Sequence, residues 1–158
     1  MRFDARHTFA APPDAVVAAM LDPDFHLTLD LPDLSRPEVV RATPHRIELR
    51  YEFIGSLDPV ARRLLAGRKL TWTQTIEFDA AGTSGRLAFG AEAEANRLFG
   101  SAAVACTAHD GETVRTISGE LHVRVPLVGT TAERRIVPGL LRRLDVEAAA
   151  LTARLSAP

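Results

Sequence analysis

The sequence predicts an α+β protein: one strand, two short helices, a run of six strands and a long C-terminal helix. Three observations carry this. Ile47, Leu49, Tyr51 and Phe53 alternate with Arg46, Glu48, Arg50 and Glu52, and Leu70, Trp72, Gln74, Ile76 and Phe78 alternate with Thr71, Thr73, Thr75 and Glu77. One dry face and one wet face indicate an antiparallel sheet. At the C-terminus the period becomes helical, with Ile136, Leu140, Leu144, Ala148, Leu151 and Leu155 on one stripe flanked by Val137 and Leu141.

The first strand is read from Phe3, Ala5, His7 and Phe9 on a common face. Pro12, Pro13 and Asp14 suit a helix start, because proline is tolerated in the first turn and an acid there complements the helix dipole. Val16, Val17, Met20 and Leu21 supply its apolar face, and Asp22-Pro23-Asp24 stops it before a short irregular turn over 25–31. A strand follows over 38–43, with Pro44-His45 as the turn into the next. The pattern breaks over 55–68, where Asp58 is expected to cap a short helix ending near Gly67. A hairpin turn at Ala80-Ala81-Gly82-Thr83 leads to a strand over 86–94 with Leu87, Phe89, Ala91 and Ala93 inside. A loop at 96–100, a small-residue strand over 102–109, an Asp110-Gly111 turn and a strand over 113–125 complete the sheet. In that last strand Ile117, Gly119, Leu121, Val123 and Val125 share a side.

A tight Pro126-Leu127-Val128-Gly129 turn precedes the long helix. Thr130 and Glu133 have the spacing of a capping box, in which hydroxyl and carboxylate each satisfy a free N–H of the first turn. Arg134, Arg135, Arg142, Arg143 and Glu147 are assigned to the solvent face. Pro138 removes one backbone bond and is expected to kink the helix. The apolar stripe needs a partner, since each large side chain removed from water contributes roughly 1.5–3 kcal/mol. Only the strands upstream are extensive enough to receive it.

A chain of 158 residues is expected to form one domain with a substantial core. Its net charge of −1 gives no reason to expect nucleic acid as partner. The single cysteine, Cys106, has no internal disulfide partner and no metal-ligand spacing around it, so a cytoplasmic setting is expected. No targeting segment is read at the N-terminus, and no apolar run approaches the roughly 20 residues a spanning helix needs. His7, His26, His45, His109 and His122 are scattered, and neither a metal site nor a cofactor is expected.

Certain residues and motifs carry a family resemblance. They are the opening Met1-Arg2-Phe3 strand with His7, the Ala11-Pro12-Pro13-Asp14-Ala15-Val16 helix start and Asp22-Pro23-Asp24-Phe25. With them stands Val123-Arg124-Val125-Pro126-Leu127-Val128-Gly129 leading to Glu133, the most specific segment. In these and in element order the chain resembles the SRPBCC superfamily of START-like and birch-pollen-allergen-like helix-grip proteins, and within it domain-of-unknown-function family 2505. The resemblance implies a seven-stranded antiparallel sheet wrapped around the C-terminal helix, with a deep apolar cavity between them. Superfamily members bind lipids, sterols, polyketides or plant hormones, and some act as cyclases, hydrolases or co-chaperones. No catalytic motif is common to them all, so no catalytic residue carries over.

The residues set the expected site. Tyr51, Phe53, Trp72 and Phe89, with Leu87 and Phe78, would line the sheet side of a cavity, and Ile136, Leu140 and Leu144 the helix side; the alternative is that they pack solidly. His7 and Gln74 lie in phase with apolar neighbours and would orient a ligand's polar end, or else bond to backbone or water. Arg115 is in phase with Ile117, or faces outward if a β-bulge intervenes. Leu64 and Leu65 would form a lid or anchor a surface loop, and Cys106 reads as a small buried residue. The helix arginines are a solvated face, or make transient contact with an anionic membrane. The expected function is binding of a small hydrophobic or amphipathic ligand, lipid or polyketide-like. The rivals are a polyketide cyclase or aromatase-type enzyme and a co-chaperone-like interaction module with a filled core.

Overall fold

The computed structural model describes residues 1–57, 59–93 and 95–157, and among these not the side chains of Val60 and Leu64. Strand β1 (Arg2–Phe9) is followed by α1 (Pro13–Leu21) and α2 (Pro23–Thr28). Then come β2 (Glu38–Thr43), β3 (Arg46–Glu52), α3 (Pro59–Leu65), β4 (Thr71–Phe78), β5 (Ser84–Ala91), β6 (Leu98–His109), β7 (Glu112–Val123) and α4 (Gly129–Leu155). The strands form one seven-stranded antiparallel sheet in the order β1-β7-β6-β5-β4-β3-β2. The first strand joins the last, so the chain closes on itself and leaves β1 and β2 as edges. Helix α4 lies against β1, β7 and α1. This is the helix-grip arrangement.

The inner face follows the alternation. Ile47, Leu49, Tyr51, Ile76 and Phe78 are buried with Leu87, Ala102, Val104, Ile117 and Leu121. Against them pack Val16, Val17 and Met20 of α1, Phe25 of α2 and Val137, Leu144, Ala148 and Leu151 of α4. The small residues of β6 are explained here: Gly100, Ala102, Val104 and Cys106 form its inner row, and Phe89 occupies the space over Gly100. Asp22, expected only to stop α1, also caps α2 by accepting from the Asp24 N–H at 2.9 Å.

Several boundaries differ from expectation. Strand β6 begins at Leu98, because the 98–100 segment pairs with 121–123 of β7 rather than looping. Strand β5 ends at Ala91 and leaves Ala93 exposed; β7 ends at Val123, so Val125 lies in the turn. Glu133 does not close a capping box. Helix α4 starts at Gly129 with no side-chain cap, and Glu133 instead accepts from the Val123 N–H at 2.9 Å and the Met1 ammonium at 3.2 Å. That carboxylate ties the helix to both sheet termini beside it. Pro138 lies inside α4, which continues past it although one helical N–H is missing. The expected cap, Asp58, lies outside the described residues, as does the Leu64 side chain; Leu65 is buried.

Candidate functional site

Within the apolar core between the sheet and α4 lies a group of buried polar side chains. Arg115 projects inward from β7 and is fully buried. The β1–β7 and β6–β7 registers run through it without a break, so the bulge alternative does not apply. Its Nη1 donates to Glu147 Oε1 of α4 at 2.6 Å, its Nη2 donates to His7 Nδ1 at 3.2 Å and to the Leu144 carbonyl at 3.5 Å, and its guanidinium lies over the Phe9 ring. Since a guanidinium only donates, His7 Nδ1 must accept, and its Nε2–H donates to Asp145 at 3.0 Å. Glu147, 3% exposed, is the main correction to the helix face. Burial pushes its carboxyl up, but the Arg115 guanidinium, helped by Arg143, outweighs this and holds it below the ordinary carboxylate range.

A second group adjoins the first. Arg143, also expected in solvent, folds inward: it donates to the Gln74 side-chain oxygen of β4, and its guanidinium lies 4.5 Å from the Tyr51 ring centroid. Tyr51 in turn stacks on its cross-strand neighbour Trp72 at 5.7 Å. Burial pushes the Tyr51 hydroxyl up, with Arg143 pulling the other way. His26 is buried in α2. Its Nε2–H donates to the Met20 carbonyl at 2.8 Å, and burial holds its pKa below the ordinary value, with Glu147 opposing. The imidazole is therefore neutral, and Nδ1 carries the lone pair. Among the described residues of this cluster, His26 Nδ1, the Tyr51 hydroxyl, Arg115 Nε and Arg143 Nε are buried with no hydrogen-bond partner. Arg143 and Glu147 act electrostatically on both His26 and Tyr51, which makes one cluster of the set.

Of the expected site residues, the structure thus gathers His7 with Arg115 and Leu144, and Tyr51 with Trp72 and Gln74. Trp72, Phe89 and Leu140 are half-buried against the core. Two do not join them. Ile136 is 37% exposed, and Phe53 sits beyond the end of β3, bridged to Leu34. Sequence reasoning missed His26, Arg143 and Glu147. The signal for the helix pair was present: position 147 is three after Leu144 and four before Leu151, and position 143 is four before 147, all on the buried stripe. Charge alone had assigned them to water. Cys106 is buried beside this cluster, and burial pushes its thiol up to about 11.

Two depressions of about 480 and about 520 Å³ lie elsewhere. One follows the β7–α4 turn at Val125, Pro126, Leu127 and Glu133, and the other lies over Arg86, Ser101, Ser118 and Glu120. No helix among the described residues is long and apolar enough to cross a membrane.

Comparison with known proteins agrees with this architecture. TTHA0849 from Thermus thermophilus superposes with a TM-score of 0.67 at 16% identity, covering 98% of this chain and 97% of that one. The Zhui aromatase/cyclase from Streptomyces sp. R1128 gives 0.68 at 17% identity, covering 98% and 93%. The di-domain aromatase/cyclase StfQ of the steffimycin biosynthetic pathway gives 0.68 at 12% identity, covering 98% of this chain and 50% of that one. Identities this low establish a shared fold and nothing finer. A comparison with curated proteins finds no match. Residues 4–155 match the family described as a protein of unknown function, DUF2505. With the sheet order, the gripped helix and that match in hand, the chain belongs to the DUF2505 family and has the helix-grip fold.

Proposed function

We propose that this protein takes up a small polyketide-like or similarly amphipathic molecule between the sheet and α4, and acts on it in the manner of a polyketide cyclase or aromatase. The observation that carries this reading is the buried polar cluster of Arg115, Glu147, His26, Gln74 and Tyr51 with Arg143. A carrier of purely apolar lipid gains nothing from such groups, each of which costs free energy to bury. For chemistry on a polyketone they suit the task. A neutral His26 with a free Nδ1 lone pair can take a proton from the carbon next to a carbonyl. The Arg143 guanidinium and Tyr51 hydroxyl can stabilise the enolate oxygen that forms. Half-buried Trp72, Phe89 and Leu140 supply the apolar wall against which rings would stack. The names of two fold neighbours, both aromatase/cyclases, support the same class.

The test is native mass spectrometry of the protein purified from its own host, then of the protein mixed with short aromatic β-polyketones. A bound adduct that loses one water, and whose conversion falls about 10²–10⁴-fold in His26→Ala, supports the reading. Binding without conversion reduces it to a carrier. One observation favours a filled-core interaction module instead: both depressions lie away from the interior, and Leu127 beside one of them is fully exposed. Failure of every small-molecule probe to bind would favour that module.

A further inference from the structure

We infer that the molecule taken up beneath α4 is an organic monoanion (a carboxylate, enolate or phenolate) whose charge is met by Arg143. This rests on the interior being a binding site. The argument is a count of charges. Two arginines, fully buried Arg115 and half-buried Arg143, turn toward the interior, and one carboxylate, Glu147, is buried beside them. Glu147 is bonded to Arg115 at 2.6 Å. The second nearby acid, Asp145, sits on the exposed side of the helix and bonds to His7. His7 accepts from Arg115 and adds no negative charge. One positive charge is left over, and it belongs to Arg143.

The partners of Arg143 are neutral: the Gln74 amide oxygen and the face of the Tyr51 ring. Glu147 lies one helical turn away and attracts Arg143, yet its carboxylate is bonded to Arg115. Arg143 Nε, like Arg115 Nε, is buried with nothing to receive its hydrogen, but Arg115 already holds a carboxylate and Arg143 does not. A guanidinium presents a planar fork of donors that fits two oxygens of one anion, so an incoming oxyanion satisfies both the charge and the idle Nε–H. The Tyr51 hydroxyl, whose ring lies under the same guanidinium, supplies another donor to that oxyanion. The idle His26 Nδ1 asks for the opposite, a donor, which a hydroxyl elsewhere on the ligand provides. The ligand chemistry is therefore an acid with a nearby hydroxyl on an apolar body, rather than a neutral sterol or glyceride.

Matched probe pairs decide it: dansyl-undecanoate against its primary amide, and hydroxynaphthoate against its amide, titrated by fluorescence at neutral pH. In the wild-type protein the acids should bind roughly 10–100-fold tighter than the amides, the range a hydrogen bond to a charged group supports. The preference should collapse in Arg143→Gln and survive in part in Arg143→Lys, with near-ultraviolet circular dichroism checking that both are folded. Equal binding of acid and amide to wild type overturns the monoanion while leaving the binding site intact. An acid preference undiminished in Arg143→Gln assigns the anion to another cation and overturns it as well. If no probe binds, the site reading itself fails and this inference falls with it. Should Arg143→Gln not fold, the wild-type and Arg143→Lys comparisons still separate these outcomes.

Discussion

Arg115 of β7 and Glu147 of α4 form a salt bridge of 2.6 Å in which neither side chain reaches solvent appreciably. It joins the sheet to the helix at the strand next to the edge. Attraction inside a protein is strong, but so is the cost of removing both charges from water, and breaking one partner exposes that cost. Glu147→Leu should therefore destabilise the protein by about 3–5 kcal/mol in urea unfolding. Arg115→Met combined with Glu147→Leu should recover most of that loss. A single variant within about 1 kcal/mol of wild type would show the pair to be solvated in solution.

The same pair sets the response to acid. In the unfolded chain a glutamate titrates near 4.5, and in the fold the Glu147 carboxyl lies lower. The unfolded state thus binds its proton first as pH falls, and the pair's contribution, complete above about pH 4.5, is lost as pH drops through the folded value. His26 adds an earlier step of the same sign. Its folded pKa lies below 6.5, so stability falls as pH drops below that value. Urea midpoints measured down the acid range should decline in two stages, with the lower one reduced in the Arg115→Met/Glu147→Leu variant, where Glu92, Glu120 and Glu133, also held below the ordinary carboxylate range by their partners, remain. An unchanged lower stage there would identify other carboxylates as its source.

Glycines in the sheet make a paired test. A Cβ at Gly119 would meet the Ser101 carbonyl oxygen and lie 2.5 Å from Ala102 Cβ, both in the neighbouring strand. At Gly90 a Cβ would meet nothing within 4 Å. Gly119→Ala should cost about 1–3 kcal/mol through backbone displacement. Gly90→Ala should be stabilising by roughly 0.4–1 kcal/mol, because it reduces the freedom of the unfolded chain. Thermal midpoints that move in the same direction for both variants would contradict the packing described.

Cys106 offers a probe of opening. Its thiol is buried and pushed up to about 11 by burial, with Arg115 pulling it down. At pH about 8 only about one molecule in a thousand carries the thiolate, and access is blocked as well. Ellman's reagent should react only at the rate of unfolding, and faster in Glu147→Leu. Prompt stoichiometric reaction in the native wild type would mean that the interior opens readily.

Leu140 lies half-buried on α4 beside the cluster. Leu140→Trp should fill the space a ligand would use. Probe affinity should fall at least tenfold while the urea midpoint shifts by no more than the cost of modest overpacking, about 1–3 kcal/mol. Undiminished affinity would place the ligand elsewhere on the molecule.

Much of this protein was legible before any coordinates. The strict alternation through Ile47, Leu49 and Tyr51 requires a half-buried strand, since a strand places successive side chains on opposite faces. The helical stripe of Leu140, Leu144, Ala148 and Leu151 requires a helix pressed on something apolar. His7 and Gln74 were legible as inward polar residues because their phase is set by neighbours two positions away, whereas Arg115 stood open between inward and outward until the unbroken register placed it. Local periodicity by itself therefore determined the elements, their order and the inward face of the strongly alternating strands, but not that of the small-residue strand β6.

Tertiary structure alone decided what those residues meet. Arg143 and Glu147 occupy the buried stripe, yet charge argues for water, and only the arrival of Arg115 from β7 and Gln74 from β4 reverses that balance. Glu133 has the spacing of a cap but bonds to Val123 and Met1, because β1 and β7 happen to end beside it. His26 is one of five histidines in the sequence and becomes distinctive only when α2 buries it next to Glu147. A side chain's phase is a property of its own segment. Its partner, its protonation and its chemistry depend on residues distant in sequence, which only the folded chain brings into contact.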